Sequence, residues 1–116
     1  MCVYSVCMTF VSTEIKHFDA KINEAQALWD LSVSRNSWSK LEKLSASMSV
    51  YRDLRFLLSM TKGLDVRLVL LDALVQATKD LSNKPITTFI RLYVVELTRL
   101  LQRYQWHEDH QGGIGR

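Results

Sequence analysis

The stretch KPITTFIRLYVVELTRLLQRYQWHEDH, residues 84–110, decides the fold class. Its apolar residues return every three or four positions and fill one arc of a helical wheel, as in an amphipathic helix that packs on a core. They are Ile86, Phe89, Ile90, Tyr93, Val94, Leu97, Leu100, Leu101 and Tyr104. Charged residues, among them Arg91, Glu96 and Arg99, interrupt the stretch too often for a membrane span. The stretch therefore predicts one wall of a helical bundle.

The same periodicity extends outward over most of the chain. The chain has 116 residues, 47% of them apolar and 23% charged, which suits one soluble globular domain. One proline and four glycines allow few tight turns, so long helices are favoured over many short strands. We expect an all-α, four-helix bundle-like single domain. Its helices are predicted at about 13–34, 38–62, 64–82 and 85–107.

Three details of the helices follow from local pattern. Residues 64–81 are apolar nearly all round, which predicts a helix at the centre of the bundle with Leu70, Leu74 and Leu81 fully buried. The Ser-rich residues 45–49 lie where the apolar face of the second helix rotates, and this predicts a kink or short break. The pair Ser39 and Glu42 fits a capping box at the start of the second helix.

The two ends of the chain are predicted to lie outside the bundle of residues 13–107. Residues 1–12 form an apolar arm, rich in β-branched and aromatic types, that is expected to be extended. Residues 108–116 form a flexible tail. The arm has no strand partner in the chain, so a second copy or another protein is its expected partner. The candidate partner-binding residues are Val3, Tyr4, Val6 and Phe10 of the arm and Trp106 at the end of the last helix.

Basic residues are unevenly distributed along the chain. The net charge is +3, but residues 35–103 hold twelve basic residues against six acidic ones. The candidate phosphate-binding residues are Lys84, Arg91, Arg99 and Arg103 on the last helix, with Arg52 and Arg55 on the second. Two interpretations remain open: a solvated helix face, or a surface that neutralises the phosphates of nucleic acid.

The sequence contains no pattern typical of catalysis or of metal binding. His107 and His110 have the spacing H-x-x-H without a visible third ligand, and we expect a solvated helix end and no metal or cofactor. No G-x-S-x-G motif and no glycine-rich phosphate loop occurs, so we do not expect an enzyme. No uncharged run approaches the roughly 20 residues of a membrane span. Cys2 and Cys7 suit free thiols in a reducing compartment, so a cytoplasmic location is expected, or a nuclear one in a host with a nucleus.

Two functional hypotheses follow. The first is a non-enzymatic helical adaptor or regulatory module that forms homo-oligomers and binds another protein. The alternative is a dimeric helical protein that binds the backbone of DNA or RNA through its basic helix faces.

Overall fold

The computed structural model shows four α-helices in the part of the chain that it describes. It describes the backbone of residues 4–61, 65–83 and 87–112 and the side chains of residues 8–61, 65–82 and 87–110. Helix α1 covers Tyr4–Ser34, α2 Trp38–Ser59, α3 Val66–Asn83 and α4 Thr88–His107, and a π-helical turn follows at Glu108–Gly112. No strand occurs within these backbone ranges. The predicted all-α, bundle-like class is confirmed.

The main core lies at one end of the molecule, and all four helices contribute to it. It joins the N-terminal part of α1 to the C-terminal parts of α2 and α4 and to the first turns of α3. Its buried members are Phe10, Val11, Phe18, Val50, Leu54, Leu58, Val66, Leu70, Leu97, Leu100 and Tyr104. Helix α2 packs on both α1 and α4, whereas α3 packs chiefly on α4. The prediction of an apolar arc on α4 is confirmed by its buried leucines.

Helix α1 includes the segment that was predicted to be an extended arm. The helix begins at Tyr4, so the prediction of an extended arm over residues 1–12 is wrong for its described part. Phe10 and Val11 are both buried, and the Phe10 ring meets Tyr104 edge to face with centroids 4.9 Å apart. Because α4 supplies this apolar contact, packing outweighs the weak helix preference of β-branched residues.

The turn between α1 and α2 closes α1 with a left-handed residue. Asn36 has φ 55°, a conformation that asparagine tolerates better than most residues. The Ser37 N–H donates to the Ser32 carbonyl at 2.9 Å, the hydrogen bond of a Schellman motif. Ser37 is also the N-cap of α2, and its side chain makes no capping hydrogen bond. The predicted capping box of Ser39 and Glu42 is therefore wrong, because Ser39 already lies inside the first turn.

Helix α2 is continuous through residues 45–49, where a kink was predicted. Met48 and Val50, which lie on different faces, are both buried. The reason is that α2 packs against α1 on one side and against α4 on another. The rotation of the apolar face thus marks a change of neighbouring helix and not a break in the backbone.

Side chains cap the N-termini of α3 and α4. The Thr87 hydroxyl oxygen accepts a hydrogen bond from the Ile90 N–H at 3.2 Å at the start of α4. Asp65 accepts one from a backbone N–H in the first turn of α3 at 3.0 Å. Both caps satisfy donors that have no partner within the helix. The predicted first residues of these helices, 64 and 85, lie outside the described residues.

Helix α3 lies at the periphery and not at the centre of the bundle, so that prediction is wrong. Leu70 is fully buried as predicted, but Leu74 and Leu81 are only partly buried. The side of α3 that faces away from α4 exposes three large apolar residues: Leu68, Leu71 and Val75. A helix that is apolar all round can be buried on both sides only if it has neighbours on both sides, and α3 packs chiefly on one.

The hairpin of α1 and α2 extends beyond the other helices. At about 1.5 Å per residue, the 31 residues of α1 span about 46 Å and the 20 residues of α4 span about 30 Å. The C-terminal end of α4 is fixed near the start of α1 by the contact of Tyr104 with Phe10. The main core accordingly takes no residue from 19–49, all of which the structure describes. We call residues 26–47 the overhang.

Candidate interaction surfaces

Two of the predicted phosphate-binding arginines are held by carboxylates of α1. Arg103 of α4 donates three hydrogen bonds of 2.8–3.1 Å to the two carboxylate oxygens of Glu14, which is itself buried. Arg55 of α2 forms an ion pair with Asp19. Asp19 follows Glu14 by five positions, which places the two acids about 140° apart around α1. Arg55 and Arg103 therefore lie on different sides of α1 and do not form one basic surface.

The remaining candidates of the basic face differ in their surroundings. Arg99 donates to Glu96 at 3.0 Å in an exposed pair along α4. Arg52 and Arg91 are exposed, and neither forms an ion pair within the described residues. Lys84 lies outside the described residues. A charge already paired with a carboxylate attracts a phosphate less strongly, so Arg52 and Arg91 are the best remaining candidates.

Of the five predicted partner-binding residues, the structure describes the side chains of Phe10 and Trp106. Phe10 is buried in the core of its own chain, so its prediction as a partner contact is wrong. Tyr4 and Val6 lie in α1, but their side chains are not described, and Val3 lies outside the described residues. Trp106 is exposed, as a partner-binding residue must be.

The two histidines near the end of α4 have different environments. His107 is buried against Phe10, with ring centroids 5.3 Å apart, so its prediction as part of a solvated end is wrong. His110 stacks on Trp106 at 3.9 Å and contacts the Trp106 carbonyl oxygen through Nδ1 at 2.8 Å. The helix continues as a π-helical turn to Gly112, so the predicted tail does not begin at residue 108. No group of three or more metal-ligating side chains occurs in the part of the chain that the structure describes.

Tyr104 is the most strongly perturbed titratable group among the described residues. Burial, together with the charge of Glu108 and a hydrogen bond to it, raises the Tyr104 pKa to about 12. The neutral phenol is favoured because its hydroxyl donates to a carboxylate in a site shielded from water. Arg67 of α3 lies 4.0 Å from the same carboxylate and links the start of α3 to the end of α4. Tyr104 is therefore a structural contact between helices.

The outer face of α3 carries the first candidate interaction surface. Leu68, Leu71 and Val75 follow one another at spacings of three and four residues and lie within an arc of about 60°. We call these three residues the α3 stripe. Asp72 lies beside Leu68 on the wheel, is exposed, and forms no ion pair within the described residues. Lys79 lies one turn beyond Val75 and is unpaired within the same set. Spacings of three and four residues are typical of helix faces that pack on another helix.

The overhang carries the second candidate surface, an open groove of about 350 Å³ between α1 and α2. We call it the hairpin groove. It is lined by Leu28, Leu31, Ser32, Arg35, Ser37, Lys40, Lys43 and Leu44. Leu28 and Leu31 are each nearly half exposed. Arg35, Lys40 and Lys43 form no ion pair within the described residues, in contrast to Arg55, Arg99 and Arg103 elsewhere.

Sequence reasoning missed both surfaces for identifiable reasons. The spacing of Leu28, Leu31 and Arg35 was visible, but these residues fall beside the stronger apolar seam that ends at Trp29. Three cations within nine residues, from Arg35 to Lys43, could have directed attention to the hairpin. For α3, the apolar pattern was recognised but assigned to burial within the chain, because a pattern alone does not identify the side that lacks a neighbour.

No protein-family model matches the chain, and comparison with curated proteins and with solved structures also gives no match. Within the described residues, no helix combines the length and the apolar character needed to cross a membrane. Function must therefore be inferred from the residues of this chain.

Proposed function

We propose that the chain is a non-enzymatic helical interaction module that forms homo-oligomers through the α3 stripe. The observation that carries this proposal is the exposure of Leu68, Leu71 and Val75 on one face of α3. These residues are large, apolar and contiguous, and they lie on the side that is turned away from α4. Clusters of this kind on a folded surface are typical of protein interaction sites.

The expected gain from covering the stripe is large enough to matter for association. Leu68 and Val75 are 64% and 48% exposed, and Leu71 is 39% exposed. Full burial of one such side chain contributes about 1.5–3 kcal/mol, so covering the stripe contributes about 2–5 kcal/mol. A change of 1.4 kcal/mol alters a dissociation constant about tenfold. Loss of the stripe should therefore weaken self-association measurably.

Sedimentation velocity over a range of micromolar concentrations tests the proposal. The stripe variant is Leu68→Gln/Val75→Gln. The control variant is Phe56→Gln/Val33→Gln, because Phe56 and Val33 are 64% and 47% exposed in helices elsewhere in the chain. We expect the wild type and the control variant to associate and the stripe variant to sediment as a 13.4 kDa monomer. A wild type that remains monomeric throughout would contradict the proposal, as would equal effects of the two variants.

Nucleic-acid binding is the second candidate function, and it is supported by Arg52 and Arg91, which are exposed and form no ion pair within the described residues. If they contact phosphates, Arg52→Gln/Arg91→Gln should weaken binding equally for all duplex sequences. It should also reduce the slope of log binding affinity against log salt concentration by about 0.9 for each lost phosphate contact. The control is Arg99→Gln, which removes an arginine that already pairs with Glu96. Absence of any mobility shift of DNA or RNA by the wild type at low ionic strength would exclude this function.

A further inference from the structure

We infer that the α3 stripe of one copy docks in the hairpin groove of the next copy. The inference rests on the proposed function, because it takes association through the α3 stripe as its starting point and identifies the surface that receives it. The two surfaces belong to different parts of the chain. The contact is therefore head to tail and not between two copies of α3.

The groove has the form of a site for a third helix. It lies in the overhang, where α1 and α2 continue beyond the main core. Leu28 and Leu31 are 45% and 46% exposed there, although both belong to a face that borders α2. A helix laid along two packed helices inserts its side chains into the groove between them. Such a helix would cover the apolar surface that the chain itself leaves open.

The apolar parts of the two surfaces match in spacing. In the stripe, Leu68 and Leu71 are three residues apart and Val75 follows four residues later. In the groove, Leu28 and Leu31 are three residues apart, and Leu44 contributes from α2. The stripe extends over about two helical turns, or about 11 Å, whereas Leu28 and Leu31 lie within one turn, about 5 Å apart along α1. The stripe is therefore long enough to cover the apolar lining of the groove, with about one turn to spare.

The charges next to the apolar residues are complementary at the turn between α1 and α2. Arg35, Lys40 and Lys43 border the groove without ion pairs in the described part of the chain. Asp72 borders the stripe, is exposed, and likewise has no ion pair there. Charge complementarity of this kind sets the register and orientation of a complex more than its affinity.

A second charge pair sets the direction of α3 in the groove. Glu24 lies one helical turn before Leu28 and is exposed, and Lys79 lies one turn after Val75. Along α1 the order is the acid Glu24, the apolar residues Leu28 and Leu31, and then the cation Arg35. Along α3 the order is Leu68, Leu71 and the acid Asp72, then Val75 and the cation Lys79. If α3 runs antiparallel to α1 with Lys79 level with Glu24, Val75 lies level with Leu28, and Leu71 lies about level with Leu31. Asp72 then lies about 6 Å along the axis from Arg35, within reach of an arginine side chain, so opposite charges meet at both ends only in the antiparallel direction.

This arrangement determines the type of assembly. Each copy offers one stripe and one groove, so a docked pair still has one unused stripe and one unused groove. Contacts between two different surfaces close into rings or continue as filaments, whereas contacts between identical surfaces stop at a dimer. We therefore expect species larger than a dimer, with a population that grows with protein concentration.

A mixing experiment tests the inference directly. The stripe variant, Leu68→Gln/Val75→Gln, keeps its groove, and a groove variant, Leu28→Gln/Leu31→Gln, keeps its stripe. All four positions are exposed, so both variants should keep the helical circular dichroism of the wild type. We expect each variant alone to be a monomer and an equimolar mixture to form a heterodimer of one copy of each, with no larger species.

The outcomes separate failure of this inference from failure of the proposed function. A wild type that never associates contradicts both. In a second outcome, the groove variant still associates like the wild type and the mixture contains no heterodimer. This outcome overturns the inference but leaves self-association through α3 intact. A mixture that forms only monomers, although both variants lose association alone, also overturns it.

Charge reversal gives an independent test that leaves the apolar residues unchanged. Lys79→Glu and Glu24→Lys should each weaken association, because each places like charges at the same end of the interface. Combined in one chain, the two substitutions restore opposite charges and should restore association. Failure of the combined variant to exceed the single variants overturns the antiparallel docking. Asp72→Lys should also weaken association, and an unchanged association would contradict the role of the cationic border.

Discussion

Replacing Arg103 by glutamine should destabilise the fold, although the sequence alone suggests that Arg103 belongs to a solvated face. The Arg103 guanidinium holds both carboxylate oxygens of Glu14 at 2.8–3.1 Å. Glu14 is 7% exposed, and the Arg103 side chain is 36% exposed. Arg103→Gln therefore leaves a buried carboxylate without its counter-ion and without most of its hydrogen bonds.

The size of the expected loss of stability follows from how far Arg103 and Glu14 are buried. Breaking a fully buried ion pair costs about 3–5 kcal/mol, whereas an exposed pair contributes about 0–1 kcal/mol. Because the Arg103 side chain is partly solvated, water replaces part of what the carboxylate loses. We expect Arg103→Gln to lower the free energy of unfolding by about 2 kcal/mol. With a urea dependence of about 1–3 kcal/mol per molar, the unfolding midpoint falls by about 1 M.

Urea unfolding followed by circular dichroism measures this loss, and α4 supplies its own control. Arg99→Gln removes an arginine from an exposed pair with Glu96, so its effect should stay below about 0.5 kcal/mol. The double variant Glu14→Gln/Arg103→Gln should lose less stability than Arg103→Gln alone, because it no longer buries an uncompensated charge. Equal effects of Arg103→Gln and Arg99→Gln would refute the structural role of this pair.

Two further predictions concern the core and alkaline pH. Leu70→Ala should lower the free energy of unfolding by about 2–5 kcal/mol because Leu70 is fully buried. Leu74→Ala should lower it less, because Leu74 is only partly buried. Equal losses in urea unfolding would contradict the orientation of α3. The Tyr104 pKa is about 12 in the folded chain against 10.0 for the ordinary phenol, so its stabilising contribution is complete below pH 10 and is lost between pH 10 and about 12. The free energy of unfolding should therefore fall as pH rises over this range, and it should fall less steeply in Tyr104→Phe. An identical pH dependence in the wild type and the variant would contradict the attribution of this loss to Tyr104. Burial also raises the pKa values of Tyr51 and Tyr93, so part of the fall should remain in that variant.

The all-α class was predictable because helical periodicity is a local property of the chain. The arc from Phe89 to Tyr104 recurs at 3.6 residues per turn over more than four turns, and no alternative secondary structure buries it on one side. The signals for the helix ends were weaker. Residues 3–11 have composition typical of a strand, yet their described part is helical because Phe10 packs on Tyr104 of α4 and Val11 is buried in the main core.

The candidate sites could be predicted less well because a side chain's partner is not a local property. Arg103 and Glu14 are 89 positions apart, and nothing near either residue in the sequence indicates that they meet. The arginines of a basic stripe look alike on a wheel, whereas the structure distinguishes Arg103, bound to a buried acid, from Arg91, which has no ion pair in the described part of the chain. The same limit applies to Phe10, which composition marks as apolar but does not assign to core or interface.

The sequence by itself determined that the chain forms long amphipathic helices, since apolar spacing and sparse turn residues act over a few neighbouring positions. Only the tertiary structure decided which apolar faces remain uncovered. Helix α3 is apolar nearly all round, but it packs chiefly on α4 and leaves Leu68 and Val75 in water. The groove at Leu28 and Leu31 arises because α1 is longer than α4 and extends past the main core. Both are consequences of how whole helices are placed against one another, and no short segment of sequence encodes that placement.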